Sequence, residues 1–220
     1  LKVFKFNMNL PNALTLSRIF LIPIFIVVLL TGRFTEKEIW GFVVFAAAAL
    51  TDYFDGYFAR KRHQVTTLGK LLDPIADKLL ISAAFISLVK LNVAPAWMAV
   101  VVIGREFAVS GLRSIASAEG FTIDASKLGK SKMASQVACV SLLILGNRFP
   151  ATFLNEAGIV FLWVVVVLAI VSMVQYFRRF WSQIDENFKR RKDRAFRRSI
   201  RILRMRRKSP DTVINTGRVS

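Results

Sequence analysis

Long apolar segments alternate with short polar stretches over the first 177 residues of the chain. These segments approach or reach the roughly 20 residues that a helix needs to cross a bilayer. The apolar residues run on without the strict alternation expected for strands of a membrane barrel. The pattern therefore predicts six transmembrane helices, at about residues 13–30, 39–58, 72–89, 95–116, 134–145 and 158–177.

The fifth segment differs from the other five. Its apolar run, 134–145, is short and begins among polar residues. We expect this helix to face a hydrophilic cavity over part of its length.

Composition supports an all-α, polytopic integral membrane protein. Of the 220 residues, 54% are hydrophobic, and the mean hydropathy is +0.47, which excludes an ordinary soluble domain. A single cysteine, Cys139, lies in an apolar run, so no intramolecular disulfide is predicted.

Positive charge is concentrated at the end of the chain. The formal net charge is +18, and 15 of the 32 Lys and Arg residues follow Phe177. We therefore divide the chain into a membrane domain at 1–177, a basic amphipathic tail at 178–208 and a disordered end at 209–220.

Aromatic and aliphatic residues, among them Phe180 and Ile184, are interleaved with the cations of the tail. This pattern predicts a helix that lies on anionic membrane lipids. A solvated tail and a nucleic-acid contact are the alternatives. We favour the lipid surface because the adjacent bilayer supplies the attraction, and we expect no nucleic-acid partner.

The basic residues between the predicted helices lie mostly on one side of the membrane. By the positive-inside rule, both termini are then cytoplasmic. The loops after the first, third and fifth helices hold Arg33, Lys37, Lys90 and Arg148, whereas the opposite side collects Lys2, Lys5, Arg60, Lys61, Arg62, Lys127, Lys130, Lys132 and the tail.

Four carboxylates lie in or beside the second and third apolar segments: Asp52, Asp55, Asp73 and Asp77. Each costs roughly 2.5 to 3.5 kcal/mol near the centre of a membrane helix, so a compensating function is expected. The first two are spaced i, i+3 and the last two i, i+4, which places each pair on one helix face. Two such faces would form an oxygen-rich pocket for hard divalent cations.

Small residues and an arginine accompany these carboxylates in a fixed order. Gly56 and Ala59 leave room for a close approach, and Gly69 allows the same or a turn. Arg60 lies about 12 Å along a helix from Asp52, which places it near the headgroup level, where it could bind an anion.

The eight positions together resemble the signature of the CDP-alcohol phosphatidyltransferase family, which is D-x2-D-G-x2-A-R-x8-G-x3-D-x3-D. The resemblance implies a six-helix membrane enzyme, a homodimer, and two divalent ions, Mg or Mn. It implies that Asp52, Asp55 and Asp73 are metal ligands and that Asp77 is the catalytic base, which shares in metal binding. The CDP-lipid would be bound at Gly56, Ala59, Arg60 and Gly69.

Structural interpretations of the carboxylates remain open. Asp73 precedes Pro74, a pair that often starts a helix as N-cap and first residue. Asp52 or Asp55 could instead form ion pairs with Lys78 or Arg105.

A second cluster of charges is cationic. Arg105 and Arg113 are eight residues apart and so share a face of the fourth helix, and Lys132 precedes the fifth. Arginine forks in a cavity suit a phosphate dianion, so we interpret these three residues as an acceptor phosphate site. Positive-inside anchoring is the alternative, but it does not account for Arg105 and its acidic neighbour Glu106.

Three stretches, 9–18, 69–78 and 104–113, resemble the bacterial branch of this family that makes phosphatidylglycerophosphate. That resemblance implies transfer of a phosphatidyl group from CDP-diacylglycerol to glycerol 3-phosphate, with release of CMP, in the inner (cytoplasmic) membrane. It also implies that Asn12, Thr15 and Arg18 line the mouth of the acceptor pocket, although Asn12 could simply cap a helix.

Two other functions compete with this one. The same chemistry could use inositol phosphate or phosphatidylglycerol as the acceptor. A non-catalytic protein, either a cation transporter or a membrane scaffold, could also use the carboxylates, but it would not need the ordered Gly56, Ala59, Arg60 and Gly69.

Overall fold

The computed structural model of the chain describes the backbone of residues 10–32, 35–62, 67–121 and 128–208. Within these ranges the side chains of residues 10–12, 14, 52–62, 67–71, 73, 128–131, 187–191 and 193–208 lie outside the description. The described residues form six helices and no strand, so the all-α prediction is confirmed. The helices are α1 (Leu10–Leu30), α2 (Lys37–Arg62), α3 (Thr67–Lys90), α4 (Ala96–Ala118), α5 (Leu128–Arg148) and α6 (Phe153–Lys208).

Each predicted apolar segment falls in a different helix, apart from one residue, Pro95, just before α4. Among the described residues, one helical stretch, Phe153–Glu186, is long and apolar enough to cross a membrane by composition alone. Thr15–Leu30 is a shorter apolar helix. The helices between them carry the charged residues of the predicted sites, which lower their hydropathy.

One large apolar core joins the helices of the bundle. α1 packs against α2 and α3, α4 packs against α3 and α6, and α5 packs against α2, α3 and α6. The tilted rings of Phe25 and Phe45 lie 5.8 Å apart in this core. Other fully buried side chains there are Phe85, Leu88, Val102, Val140, Leu143, Ile144 and Val165.

A smaller apolar cluster joins the ends of α4 and α6. Phe180 is buried against this part of α4, and Ile184 packs on the same cluster, which also contains Val109, Ala116 and Tyr176. α6 continues without a break past Phe177, so this residue does not end a helix. Phe180 is therefore buried against α4 and does not face membrane lipid, because α4 offers it an apolar surface within the protein, whereas Ile184 is only half-buried.

Two alternative helix starts are excluded by the positions of the helices. α3 begins at Thr67 and contains Pro74, so Asp73 is not an N-cap. Gly69 also lies inside α3 rather than in a turn before it. Asn12 lies inside α1 rather than at its start.

Polar contacts join the end of α5 to the beginning of α2. Arg148 donates two hydrogen bonds to Glu36, of 2.8 and 2.9 Å, and Asn147 donates one of 3.2 Å to Glu38. The hydrogen bonds from Arg148 hold the pKa of the Glu36 carboxyl below its usual value.

α5 and α6 approach each other closely at glycines. A methyl group on Gly146 would lie 2.8 Å from Cα and 2.9 Å from N of Asn155, both backbone atoms. One on Gly158 would lie 2.9 Å from Cδ2 of Leu143. Backbone atoms cannot move aside as a side chain can, so the crossing at Gly146 requires glycine.

We predict that Gly146→Ala destabilises the protein by about 1–3 kcal/mol, because the added methyl group overpacks the crossing of α5 and α6. Gly111→Ala in α4 is the matched control, since a methyl group there meets nothing within 4 Å. The control should leave stability unchanged or raise it by about 0.5–1 kcal/mol. The melting temperatures of both variants in the same detergent test this, and equal melting temperatures would contradict it.

Candidate active site

Asp77 is the one member of the four predicted metal ligands whose side chain is described. It is half-buried on α3, the helix that packs against α2. Its carboxylate is close enough to Lys78 and Lys132 to attract both charges. The candidate catalytic base therefore lies beside the predicted acceptor site.

The other seven signature residues have positions on helices but no described side chains. α2 contains Asp52, Asp55, Gly56, Ala59 and Arg60, and α3 contains Gly69 and Asp73. Their roles in binding metal and CDP-lipid lie outside the described side chains and stay predictions. Among the side chains that are described, no three His, Cys, Asp or Glu residues form a cluster that could hold a metal.

Arg105 is a buried cation on α4, with only 7% of its surface exposed. Its Nε donates a hydrogen bond of 2.8 Å to Oγ of Ser172 on α6. Its guanidinium carbon lies 5.8 Å from the centre of the Tyr176 ring. Ser172 and Tyr176 are one turn apart, so they hold this arginine from one face of α6.

Arg113 lies on the same face of α4 as Arg105 but is exposed. Its Nη2 donates a hydrogen bond of 3.1 Å to Oη of Tyr176, and its guanidinium carbon lies 5.9 Å from the centre of that ring. The two arginines thus share one tyrosine, which confirms that they are on one face of the helix.

Lys132 is buried at the beginning of α5 and forms an ion pair with Glu106 of α4. Gln136, one turn further along α5, donates a hydrogen bond of 3.1 Å to Oε1 of the same carboxylate. Nη1 of Arg105 lies 3.4 Å from both oxygens of Glu106. The three predicted phosphate ligands therefore belong to one connected polar cluster, in which Glu106 joins Lys132 to Arg105.

The beginning of α5 supports the expectation that this helix faces a hydrophilic cavity. Lys132 and Gln136 are both buried, yet their side chains meet a carboxylate rather than apolar groups. The later turns of α5 are apolar and join the main core.

Sequence reasoning did not identify four members of the polar cluster as functional: Glu106, Gln136, Ser172 and Tyr176. Ser172 and Tyr176 are polar residues spaced i, i+4 within Phe153–Glu186, the apolar stretch of α6, a signal that could have identified them. The Glu106 side chain is 14% exposed, and its contacts depend on the packing of α5 against the rest of the bundle.

Thr15 and Arg18 are also buried, and they occur one turn apart on α1. α1 packs against α2 and α3, the helices that carry the signature. The predicted position of these residues at the mouth of the acceptor pocket stays a prediction, and the side chain of Asn12 lies outside the description.

Cations outnumber carboxylates among the charged residues described here. Arg105 and Lys132 contact Glu106, Arg113 shares Tyr176 with Arg105, and Lys78 follows Asp77 in the chain. A site with this balance favours an anion, and the two guanidinium groups are suited to phosphate oxygens. Asp77 adds a carboxylate that could accept a proton beside the bound anion.

Comparison with known proteins gives the same family as the signature. The family model of CDP-alcohol phosphatidyltransferases matches residues 8–174. The CDP-diacylglycerol–glycerol-3-phosphate 3-phosphatidyltransferase of Bacillus subtilis is 44% identical over 188 residues, which cover 80% of this chain and 97% of the relative.

Two further relatives come from distant bacteria. The enzyme of the same name from Rickettsia felis is 37% identical over 175 residues, covering 79% of this chain and 96% of the relative. A probable phosphatidylglycerophosphate synthase of Mycobacterium tuberculosis strain H37Rv is 35% identical over 173 residues, covering 78% of this chain and 81% of the relative. The matched region of the family model contains all eight signature residues and all three predicted phosphate ligands, and the chain therefore belongs to the CDP-alcohol phosphatidyltransferase family.

Proposed function

We propose that this protein is a membrane enzyme that transfers the phosphatidyl group of CDP-diacylglycerol to glycerol 3-phosphate, forming phosphatidylglycerophosphate and CMP. The observation that carries this proposal is the cationic cluster around Arg105 beside Asp77, in a chain that covers 97% of a relative named for that reaction. The acceptor of that reaction carries a phosphate dianion, which matches the excess of cations.

The acceptor phosphate binds at Arg105, Arg113 and Lys132. Before the acceptor binds, the carboxylate of Glu106 partly balances the charges of Arg105 and Lys132. A phosphate dianion offers more oxygens and more charge than one carboxylate, so it competes well for these cations. Tyr176 and Ser172 keep the two arginines oriented while the acceptor is exchanged.

The proposed metal ligands are Asp52, Asp55, Asp73 and Asp77, and their chemistry fits the ions that the family uses. All four donors are carboxylate oxygens, the type of ligand that Mg and Mn prefer, with no histidine or thiolate among them. Two divalent ions bound there would neutralise the negative charge of the CDP-lipid diphosphate. They would also stabilise the charge on the attacking hydroxyl oxygen and on the leaving oxygen of CMP. Gly56, Ala59, Arg60 and Gly69 would bind the CDP-lipid itself.

Asp77 takes the proton from the attacking hydroxyl group of glycerol 3-phosphate. The hydroxyl oxygen forms a bond to the β-phosphorus of CDP-diacylglycerol, and the bond from this phosphorus to the bridging oxygen breaks. CMP leaves with the bridging oxygen.

The enzyme lies in the inner, cytoplasmic membrane with six spanning helices and both termini in the cytoplasm. Large apolar side chains are exposed on α1, α2, α3, α4 and α6, as a lipid environment requires. Exposed tryptophans Trp40 and Trp97 lie near the beginnings of α2 and α4, and the ring of Trp163 on α6 lies 5.7 Å from that of Trp97, as at one interface of a membrane. Residues 1–177 form the membrane domain and 178–208 the basic tail that contacts anionic lipid, whereas residues 209–220, predicted to be a disordered end, lie outside the described residues. We expect a homodimer and no nucleic-acid partner.

Another acceptor is the main competing function. Inositol phosphate would use the same cationic cluster, whereas phosphatidylglycerol carries a phosphodiester with a single charge. A non-catalytic cation-binding protein would not require the acceptor site.

We predict that the purified protein in detergent releases CMP from CDP-diacylglycerol only when Mg or Mn and glycerol 3-phosphate are present. CMP release is measured in parallel with inositol phosphate, free inositol, serine and phosphatidylglycerol. Release with one of these and not with glycerol 3-phosphate would leave the family chemistry in place but refute the proposed acceptor. A folded protein that releases no CMP with any of the five acceptors would refute the proposed reaction.

Asp77→Asn should lower kcat by about 10²–10⁴, the usual contribution of a general base, while CDP-diacylglycerol still binds. Steady-state CMP release and equilibrium binding of the lipid separate the two effects. Asp185→Asn is the control, because Asp185 is an exposed carboxylate on α6 and should be dispensable. Near-normal turnover by Asp77→Asn would remove this residue from the role of base.

Arg113→Ala should raise KM for glycerol 3-phosphate by about 10- to 100-fold, the effect of losing one hydrogen bond to a charged group, and change KM for CDP-diacylglycerol little. Lys90→Ala, which removes an exposed cation at the end of α3, should leave both KM values unchanged. Equal increases of both KM values in Arg113→Ala would instead assign Arg113 a structural role.

A further inference from the structure

An open apolar groove lies between α4 and α6, next to the polar cluster described above. It has a volume of about 340 Å³. Six of its lining residues are apolar, and the other two are arginines. The lining residues are Val101 and Arg105 of α4, and Ala169, Ile170, Met173, Val174, Phe177 and Arg178 of α6.

The groove runs along the apolar part of α6. From Ala169 to Arg178 the helix rises by about 13 Å, given about 1.5 Å per residue. Ile170, Val174 and Phe177 are all about half exposed, so the groove opens to the surroundings of the bundle. An occupant of this channel must therefore be long, narrow and apolar over most of its length.

Arg178 supplies a charge at one end of the groove. It is exposed, and it is the first charged residue after the uncharged stretch 157–177. A cation at this point of a spanning helix lies at the level of the lipid headgroups. The apolar channel thus begins beside a cation at the membrane surface and continues toward the bilayer centre.

The second arginine of the lining has a different role. The Arg105 guanidinium is bound to Ser172, Glu106 and Tyr176, so its charge is directed into the polar cluster. It is the hydrocarbon stem of Arg105 that suits an apolar wall. Only Arg178, of the two arginines, is placed to meet a headgroup.

We propose that this groove binds one acyl chain of a resident anionic glycerophospholipid whose phosphate pairs with Arg178. The argument rests on charge complementarity and on the depth of the channel, and it depends on the membrane location proposed above. The lipid is neither the CDP-lipid substrate nor its product, because the signature residues that would bind the substrate are on α2 and α3. Its chain would pack against Ala169 and Met173, on either side of Ser172, and so support the helix face that holds Arg105.

The test is native mass spectrometry of the whole chain in detergent, with phosphatidylglycerol or phosphatidylcholine of the same acyl chains added at equal concentration. The wild type should retain one phosphatidylglycerol more strongly than phosphatidylcholine. Arg178→Gln should weaken retention of phosphatidylglycerol about fivefold, the effect of one cation near an anionic surface. Ile170→Trp, which fills the groove with a larger side chain, should abolish retention of either lipid.

Matched controls separate the groove from general lipid coating. Val171→Trp and Arg179→Gln alter exposed neighbours that do not line the groove, and both should bind phosphatidylglycerol as the wild type does. Equal losses in these controls, or equal retention of phosphatidylcholine, would overturn the proposal. The melting temperatures of all four variants show whether a loss of lipid binding reflects misfolding. If Ile170→Trp misfolds, Val174→Trp is used in its place, because Val174 lines the same groove.

Competition with CDP-diacylglycerol distinguishes a resident lipid from the substrate. Bound phosphatidylglycerol should remain when CDP-diacylglycerol is added, and its displacement would assign the groove to the substrate and overturn the proposal. CMP release by the same preparation is measured separately. A protein that turns over but retains no phosphatidylglycerol refutes the lipid site alone, whereas one that retains lipid but does not turn over refutes the proposed reaction alone.

Discussion

The carboxylate of Glu106 is the contact on which the candidate site depends. It pairs with Lys132 of α5, lies 3.4 Å from Nη1 of Arg105 and accepts a hydrogen bond from Gln136. A buried cation without a partner costs several kcal/mol, so neither Arg105 nor Lys132 would remain buried and charged alone. The carboxylate allows two cations from different helices to be held together in an apolar bundle.

The same requirement explains the character of α5. Its first turns carry Lys132 and Gln136 into the polar cluster, and its later turns pack in the core, where Gly146 brings the backbone of α6 close. Few residues remain for a long apolar run, which is why this helix gave the weakest hydropathy signal. A site inside the bundle thus lowers the hydropathy of the helices that form it.

α6 connects the polar cluster with the exposed apolar surface of the bundle. Ser172 and Tyr176 hold the two arginines of α4 on one face, and the neighbouring residues Ala169 and Met173 line the groove. Further along, Phe180 packs on the end of α4, so the basic tail begins as part of the folded bundle. The position of Arg105 therefore depends on a helix whose other surface is exposed and apolar.

The sequence could predict the number of helices and the approximate limits of the first five. It could also predict the eight signature residues and the shared face of Arg105 and Arg113. They are local properties, because hydropathy is a property of a continuous segment and the face of a helix follows from 3.6 residues per turn.

The continuation of α6 beyond Phe177 could not be predicted, since the pattern does not show that α4 offers Phe180 an apolar surface. The partners of Arg105 and Glu106 could not be predicted either. These adjacent residues point about 100° apart on the helix, one toward Ser172 of α6 and the other toward Lys132 of α5. Which helix lies on each side is decided by the packing of the whole bundle, because that choice depends on contacts between residues far apart in the chain.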